Sequence, residues 1–173
     1  MAPGLDLYED VFDPRIVSLV LATARGWYRD GTFQRSNSDW HPSLVRASAK
    51  VLIRDFGGSI AETILALLNQ RRIIESRSYS LSLYAWLPGS YIGWHNDGCH
   101  AVAVTVYLNE RWDRDWGGLF LYEDEDRAIR AVTPRFNLGL RNSANLRHAT
   151  TPVTADAAEP RYTLQLFPTT PAA

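Results

Sequence analysis

The stretch Tyr91-Ile92-Gly93-Trp94-His95-Asn96-Asp97-Gly98 decides how the rest of the chain is read. Alternate side chains of an extended segment point the same way, so His95 and Asp97 share a face and aim at one spot. An imidazole and a carboxylate so placed make two thirds of a facial metal site, and the third ligand has to come from elsewhere. His148, in Leu146-Arg147-His148-Ala149-Thr150, is the candidate. Two histidines and a carboxylate hold one side of an octahedral ion and leave the other side open, a set suited to Fe(II) working with a co-substrate and O2. A His-x-Asp pair alone arises often by chance. Its weight here comes from the residues around it.

Downstream and just upstream of this segment, apolar residues alternate with period two and Gly, Pro, Asn and Asp punctuate short runs. Eight strands are expected, at 78–87, 91–95, 101–108, 118–122, 127–133, 136–142, 147–154 and 161–168. Eight short strands after a helical lead predict a mostly β fold, a double-stranded β-helix or jelly roll of the cupin type, buttressed by about three helices. The strand from Ala101 to Leu108 shows the pattern plainly: Val102, Val104, Val106 and Leu108 form a bulky face, while Ala101, Ala103, Thr105 and Tyr107 form a small, hydroxylated face fit to line a ligand cavity. Arg161 opens the last strand, with Thr163 two positions on and facing the same way. A guanidinium buried there needs a planar anion, and the far end of a dicarboxylate co-substrate supplies one.

The first 75 residues read as mainly helical. Asp13-Pro14 is an N-cap and first-turn proline for a helix whose apolar positions Ile16, Leu19, Val20, Thr23 and Trp27 recur at helical spacing. Residues 29–42 have no period and form a long loop, a candidate lid carrying Phe33, Arg35, Trp40 and His41. A second helix is expected from Ser43 to Phe56, and a third from a Ser59/Glu62 capping box to about Arg72. Arg141, Asn145 and Arg147 flank the third ligand; at the cavity mouth the arginines would take a substrate carboxylate, and each taken singly reads rather as a solvated charge.

At 173 residues the chain is expected to form one domain, with 1–75 as helical support and 76–168 as the jelly-roll core. A net charge of -1 gives no basic surplus for nucleic acid. The single cysteine, Cys99, allows no internal disulfide. The amino terminus has no signal-peptide pattern and no apolar run nears the roughly 20 residues that span a bilayer. A cytoplasmic location without membrane contact is expected; the oligomeric state is not indicated.

In these motifs the chain resembles the Fe(II)- and 2-oxoglutarate-dependent oxygenases, and within them the prolyl-4-hydroxylase-like branch. The resemblance runs from Leu83-Tyr84-Ala85-Trp86-Leu87-Pro88-Gly89 through His95-Asn96-Asp97 and Val106-Tyr107-Leu108-Asn109. It continues through Trp116-Gly117-Gly118-Leu119-Phe120, Pro134-Arg135-Phe136 and His148 to Arg161-Tyr162-Thr163. It implies His95, Asp97 and His148 as iron ligands and Arg161 as partner of the 2-oxoglutarate C5 carboxylate, assisted by Tyr107. Thr163, Thr150, Phe120 and Phe167 would complete the pocket. It further implies Fe(II), 2-oxoglutarate and O2 as the reactive set, with ascorbate supportive. The resemblance implies as product a hydroxylated prolyl or other amino-acid residue of a peptide or protein, or a hydroxylated small molecule, with succinate and CO2 released. An aspartate at position 97 favours hydroxylation over halogenation, since halogenating relatives carry a small residue there. A non-catalytic iron and 2-oxoglutarate sensor is the alternative of another class. The loop between Pro88-Gly89 and His95 is shorter than in the oxygen sensors of the family. Anchoring on Pro-Gly points Leu83, Ala85 and Leu87 into the site, anchoring on the aromatics points Tyr84 and Trp86 in, and a one-residue slip exchanges the two.

Overall fold

A computed structural model describes residues 4–46, 48–75, 78–98 and 100–169; Cys99, residues 1–3 and, of a tail expected to fray from Pro168, residues 170–173 lie outside them. In chain order the elements are β1 (Leu5–Tyr8), α1 (Pro14–Arg29), β2 (Arg35–Ser36), α2 (Pro42–Arg46), β3 (Val51–Asp55), α3 (Ser59–Gln70) and β4 (Tyr79–Trp86). There follow β5 (Ile92–His95), β6 (Val102–Tyr107), β7 (Phe120–Glu123), β8 (Ile129–Val132), β9 (Gly139–Ser143), β10 (His148–Thr150) and β11 (Arg161–Pro168). The strands make two antiparallel sheets, a seven-stranded one in the order β1-β9-β6-β11-β4-β3-β2 and a four-stranded one in the order β5-β10-β7-β8. All eight expected strands are present. The fold is a jelly roll with helices packed on one sheet.

The first half departs from expectation in a way that matters for the site. Residues 43–56 are not one helix: α2 ends at Arg46 and β3 runs from Val51 to Asp55. Val51 and Ile53 are β-branched and fully buried, and they pair with Trp86 and Tyr84. A pleated, half-buried surface suits them better than a helix face does, and tertiary pairing overrides the local helical pattern. Asn37 ties the segment down: its amide donates to the Ser48 hydroxyl and the Ala49 carbonyl, and its Oδ1 accepts from the Val51 backbone N–H. The segment read as a loop thereby gains β2 and a single 3-10 turn at Asn37–Asp39.

Asp13 caps α1 as expected, its carboxylate accepting from the Arg15 N–H at 2.8 Å. The buried stripe is Val17, Val20, Leu21 and Ala24, rotated from the expected one, so that Leu19 is half exposed. At α3 the capping box is absent: Gly58, with φ of 83°, is the N-cap and no side chain caps the helix, while Ser59 already lies inside it. Ala61, Ile64 and Leu68 of α3 join the α1 stripe over Leu81, Leu83, Ala85, Val104, Val106, Leu164 and Leu166 of the large sheet. Each of the larger aliphatic side chains so buried contributes roughly 1.5–3 kcal/mol.

This packing settles the register of β4. Leu83 and Ala85 face the helices, and Ser82, Tyr84 and Trp86 face the other way, into a cavity between the two sheets. The helices need a continuous aliphatic floor, which leaves the aromatic residues with polar tips for the cavity.

Candidate active site and metal centre

The cavity measures about 410 Å³ and is walled by Trp86, Thr105, Tyr107, Arg161 and Gln165 of the large sheet and by His95, Phe120, His148 and Thr150 of the small one. β5 and β10 pair antiparallel with His95 directly opposite His148, so the two rings stand side by side with centroids 4.2 Å apart. Asp97 leaves the end of β5 on the same face, with carboxylate oxygens 3.9 Å from His95 Nε2 and 3.6 Å from His148 Nε2. The three ligating atoms lie within 4.8 Å of one another, which lets one ion bridge them.

Backbone contacts orient both rings. His95 Nδ1 donates to the Gly93 carbonyl at 2.8 Å and His148 Nδ1 to the Leu146 carbonyl at 2.9 Å, in each case two residues back along the chain. A carbonyl can only accept, so Nδ1 carries the proton and the Nε2 lone pair is left for a metal. Burial, and next the neighbouring His148, hold the His95 pKa below its ordinary value and favour the neutral, ligating form. Asn142 of β9 reaches across from the large sheet and donates to Asp97 Oδ2 at 2.9 Å. Phe120 stacks on the His148 ring, 5.1 Å between centroids and 21° between planes.

Arg161 is 2% exposed. Its Nη1 donates to the Gly118 carbonyl, its guanidinium lies 4.4 Å from the Trp86 ring centroid, and its Nε has no partner. Among the described residues no carboxylate pairs with it, and burial pulls its pKa down to about 10. A buried cation without a counter-charge is costly unless a ligand supplies one. Tyr107 is equally buried, and desolvation pushes its hydroxyl up to about 12, so that it remains a hydrogen-bond donor at neutral pH. Gly117 and Gly118 make the close approach feasible. Both have positive φ, and a Cβ on Gly118 would stand 3.0 Å from Arg161 Cδ.

The expected residues thus converge with one difference in depth. His95, Asp97, His148, Arg161, Tyr107, Phe120, Thr150 and Phe167 all line the one cavity. Thr163 lies beneath it, fully buried, its hydroxyl accepting from Trp86 Nε1 at 3.1 Å and from Gln165 Nε2 at 3.2 Å. Arg141, Asn145 and Arg147 are not cavity residues. Arg141 pairs with Asp6 and Glu75, and Arg147 with Glu123 beside the exposed Trp94. Asn145 borders a shallow surface depression with Arg147. The lid segment contributes Arg35, Trp40 and His41 directly to the wall. Asn142, Gln165 and His100 carry no sequence signal of their own. Strand alternation from a known register would have found the first two.

Two histidines and a carboxylate face an unpaired guanidinium across one cavity, and this donor set fits an Fe(II) ion together with a dicarboxylate. The family model described as 2OG-Fe(II) oxygenase superfamily matches residues 79–168, just over half of the chain. The chain belongs to the 2OG-Fe(II) oxygenase superfamily. This oxygenase is therefore an iron- and 2-oxoglutarate-dependent dioxygenase, with His95, Asp97 and His148 able to hold the metal. Its fold is similar to that of a Pseudomonas putida prolyl-4-hydroxylase, with a TM-score of 0.76 at 16% identity over 95% of this chain and 92% of that one. A Trichoplax adhaerens prolyl hydroxylase, in complex with a hypoxia inducible factor oxygen degradation domain peptide fragment, gives 0.71 at 18% identity over 95% and 83%. The non-heme alpha ketoglutarate dependent epimerase SnoN from nogalamycin biosynthesis gives 0.65 at 14% identity over 95% and 77%. Comparison with curated protein sequences returns no match. Among the described residues no helix is long and apolar enough to cross a membrane.

Proposed function

We propose that this oxygenase hydroxylates an unactivated C–H bond of an amino-acid residue, prolyl foremost, or of an amino-acid-derived molecule, and releases succinate and CO2. The observation that carries the reading is Arg161, a buried guanidinium with no carboxylate partner among the described residues, on the wall of the cavity that holds His95, Asp97 and His148. Arg161 takes the C5 carboxylate of 2-oxoglutarate through its fork of N–H donors, and the Tyr107 hydroxyl donates to the same group. Trp86 and the Gly118 carbonyl hold the guanidinium in place before the ligand arrives. Phe120 and Thr150 form the wall between that anchor and the triad. When bound, Fe(II) and 2-oxoglutarate supply the oxidising chemistry with O2, and the protein supplies ligand geometry, orientation and exclusion of water. Trp40, stacked 6.2 Å from Tyr84, shields the mouth of the cavity.

The test is incubation with Fe(II), 2-oxoglutarate, ascorbate and O2 against parallel panels of prolyl peptides and free amino acids, with mass spectrometry for a gain of one oxygen and an assay for succinate. Product and succinate should form in equal amounts, and Asp97→Ala should abolish both. Wild-type turnover by that variant would overturn the assignment.

A further inference from the structure

We infer that the substrate is a small free carboxylic acid of amino-acid type, its carboxylate bound by Arg35 and its second polar group met by His100. This rests on the 2-oxoglutarate-dependent activity proposed above and, of the two substrate classes named there, selects the amino-acid-derived molecule over the residue of a peptide.

The large sheet lays out two polar zones. Arg161 pairs with Trp86 at one end of β11, whereas Gln165, four residues along, pairs with Ser82 of β4 and Thr105 of β6. At about 3.3 Å per residue the two zones are roughly 13 Å apart. The second contains Ser80, Ser82, Gln165 and Phe167, and Arg35 and His100 line the same cavity. Arg35 extends the sheet on β2, where Asp55 takes one of its N–H groups and Ser82 in turn donates to Asp55. That contact anchors the guanidinium while leaving most of its donors free. His100 closes a turn on Asp97, its backbone N–H donating to the Asp97 carbonyl at 2.7 Å, and its ring lies 4.8 Å from that of Phe167. Its Nδ1 is buried without a partner, one of only three such side-chain atoms among the described residues, and Arg161 Nε is another. Buried polar atoms are nearly always partnered, so an orphan just beneath the cavity wall is left for a ligand's polar atom once the imidazole turns toward the cavity.

Charge points the same way. Among the described residues, Arg35, Asp97 and Arg161 are the Asp, Glu, Lys or Arg side chains that line the cavity. The doubly charged metal with Asp97, and the 2-oxoglutarate dianion with Arg161, sum to zero. Arg35 is the further cation; it is ion-paired with the largely exposed Asp55 through one of its N–H groups and keeps the others for a second carboxylate. A residue inside a peptide would send in a neutral side chain and leave the Arg35 guanidinium to Asp55 alone; a free acid brings a carboxylate to its remaining donors. The cavity volume is at the low end of the roughly 300–1,000 Å³ typical of small-ligand clefts, and the co-substrate must share it.

The probes are the free L-amino acids, their methyl esters and amides, and acetylated prolyl peptides. Anaerobic addition of Fe(II) and 2-oxoglutarate comes first, because the visible charge-transfer band reports on the proposed function alone; its absence would fail that reading and this one with it. With the band present, at least one free acid should perturb it and be oxidised. Its ester or amide should lose about tenfold or more in kcat/KM, the scale of one hydrogen bond to a charged group. Arg35→Gln should raise KM for the acid by a similar factor, leave the band unchanged, and abolish discrimination between acid and ester. His100→Phe, which keeps the stack on Phe167, should raise the same KM. Turnover of peptides with free acids inert would overturn the inference, as would a band that no acid perturbs or unchanged discrimination in Arg35→Gln.

Discussion

Replacing Arg161 by Met, a side chain of similar length without charge, separates the two effects of a buried cation. In the wild-type protein 2-oxoglutarate at a hundred times its Kd should stabilise the metal-loaded fold by about 2.7 kcal/mol. At about 2–4 °C per kcal/mol for a chain of this size, Tm should rise by roughly 5–10 °C. Truncating one partner of a buried charge pair costs about 2–5 kcal/mol, so the variant should bind the dicarboxylate on the order of a hundred times more weakly. At the same ligand concentration its Tm shift should fall to about 1 °C. Without ligand the opposite holds. Burial lowers the Arg161 pKa from 12.5 to about 10, a cost on the order of 3 kcal/mol for keeping the charge at neutral pH. Met removes that cost and gives up the hydrogen bond to Gly118 and the stack on Trp86, worth together a similar amount. The ligand-free variant should therefore melt within a few degrees of wild type. The assay is thermal unfolding with Fe(II) under argon, with and without 2-oxoglutarate. A full ligand-induced shift in Arg161→Met would refute the reasoning, because the guanidinium would then not be the anchor.

Asn142→Ala removes the donor to Asp97 and should weaken Mn(II) binding by about 10–100-fold while the fold remains intact by circular dichroism; an unchanged Mn(II) titration would count against that role. Gly118→Ala places a Cβ 3.0 Å from Arg161 Cδ at a φ of +65°. It should cost about 1–2 kcal/mol in urea unfolding and weaken 2-oxoglutarate binding, with metal affinity unchanged. Tyr84 and Tyr107 are both pushed by burial from 10.0 to about 12. A raised acid pKa means that the folded state holds protons which the unfolded state has released. Their stabilisation is therefore complete below pH 10 and lost as pH rises through 12, by about 1 kcal/mol each at pH 11. Tyr107→Phe should remove its share of the difference between urea unfolding at pH 9 and at pH 11.

Legibility in the sequence tracked how local each signal is. His95 and Asp97 are fixed relative to each other by two-residue alternation, and the face of β6 that bears Thr105 and Tyr107 follows from the same rule. The stretch 43–56 misled because its periodicity fits a short helix as well as a strand. Only pairing with β4, which puts Val51 and Ile53 against Trp86 and Tyr84, decides between them. The capping box at Ser59 failed because Gly58 supplies a turn with positive φ and the helix begins one residue earlier than a serine cap requires. Nearness to His148 in sequence left Arg141 and Arg147 open between the cavity mouth and solvated charges. β9 and the edge of β10 turn them instead toward Asp6, Glu75 and Glu123.

By itself the sequence determined the strand count of the second half, the ligand types and their spacing, and the presence of a lone arginine at the head of the last strand. These are matters of residue identity and of periods two and 3.6, which need no partner. Only the tertiary structure decided which face of β4 meets the cavity, that Arg161 has no carboxylate beside it among the described residues, that Asn142 steadies Asp97 from the opposite sheet, and that Arg35 reaches the same cavity from the first half. Each of these depends on which strands lie next to one another, and that is set by burial of the helices against the aliphatic face of the large sheet.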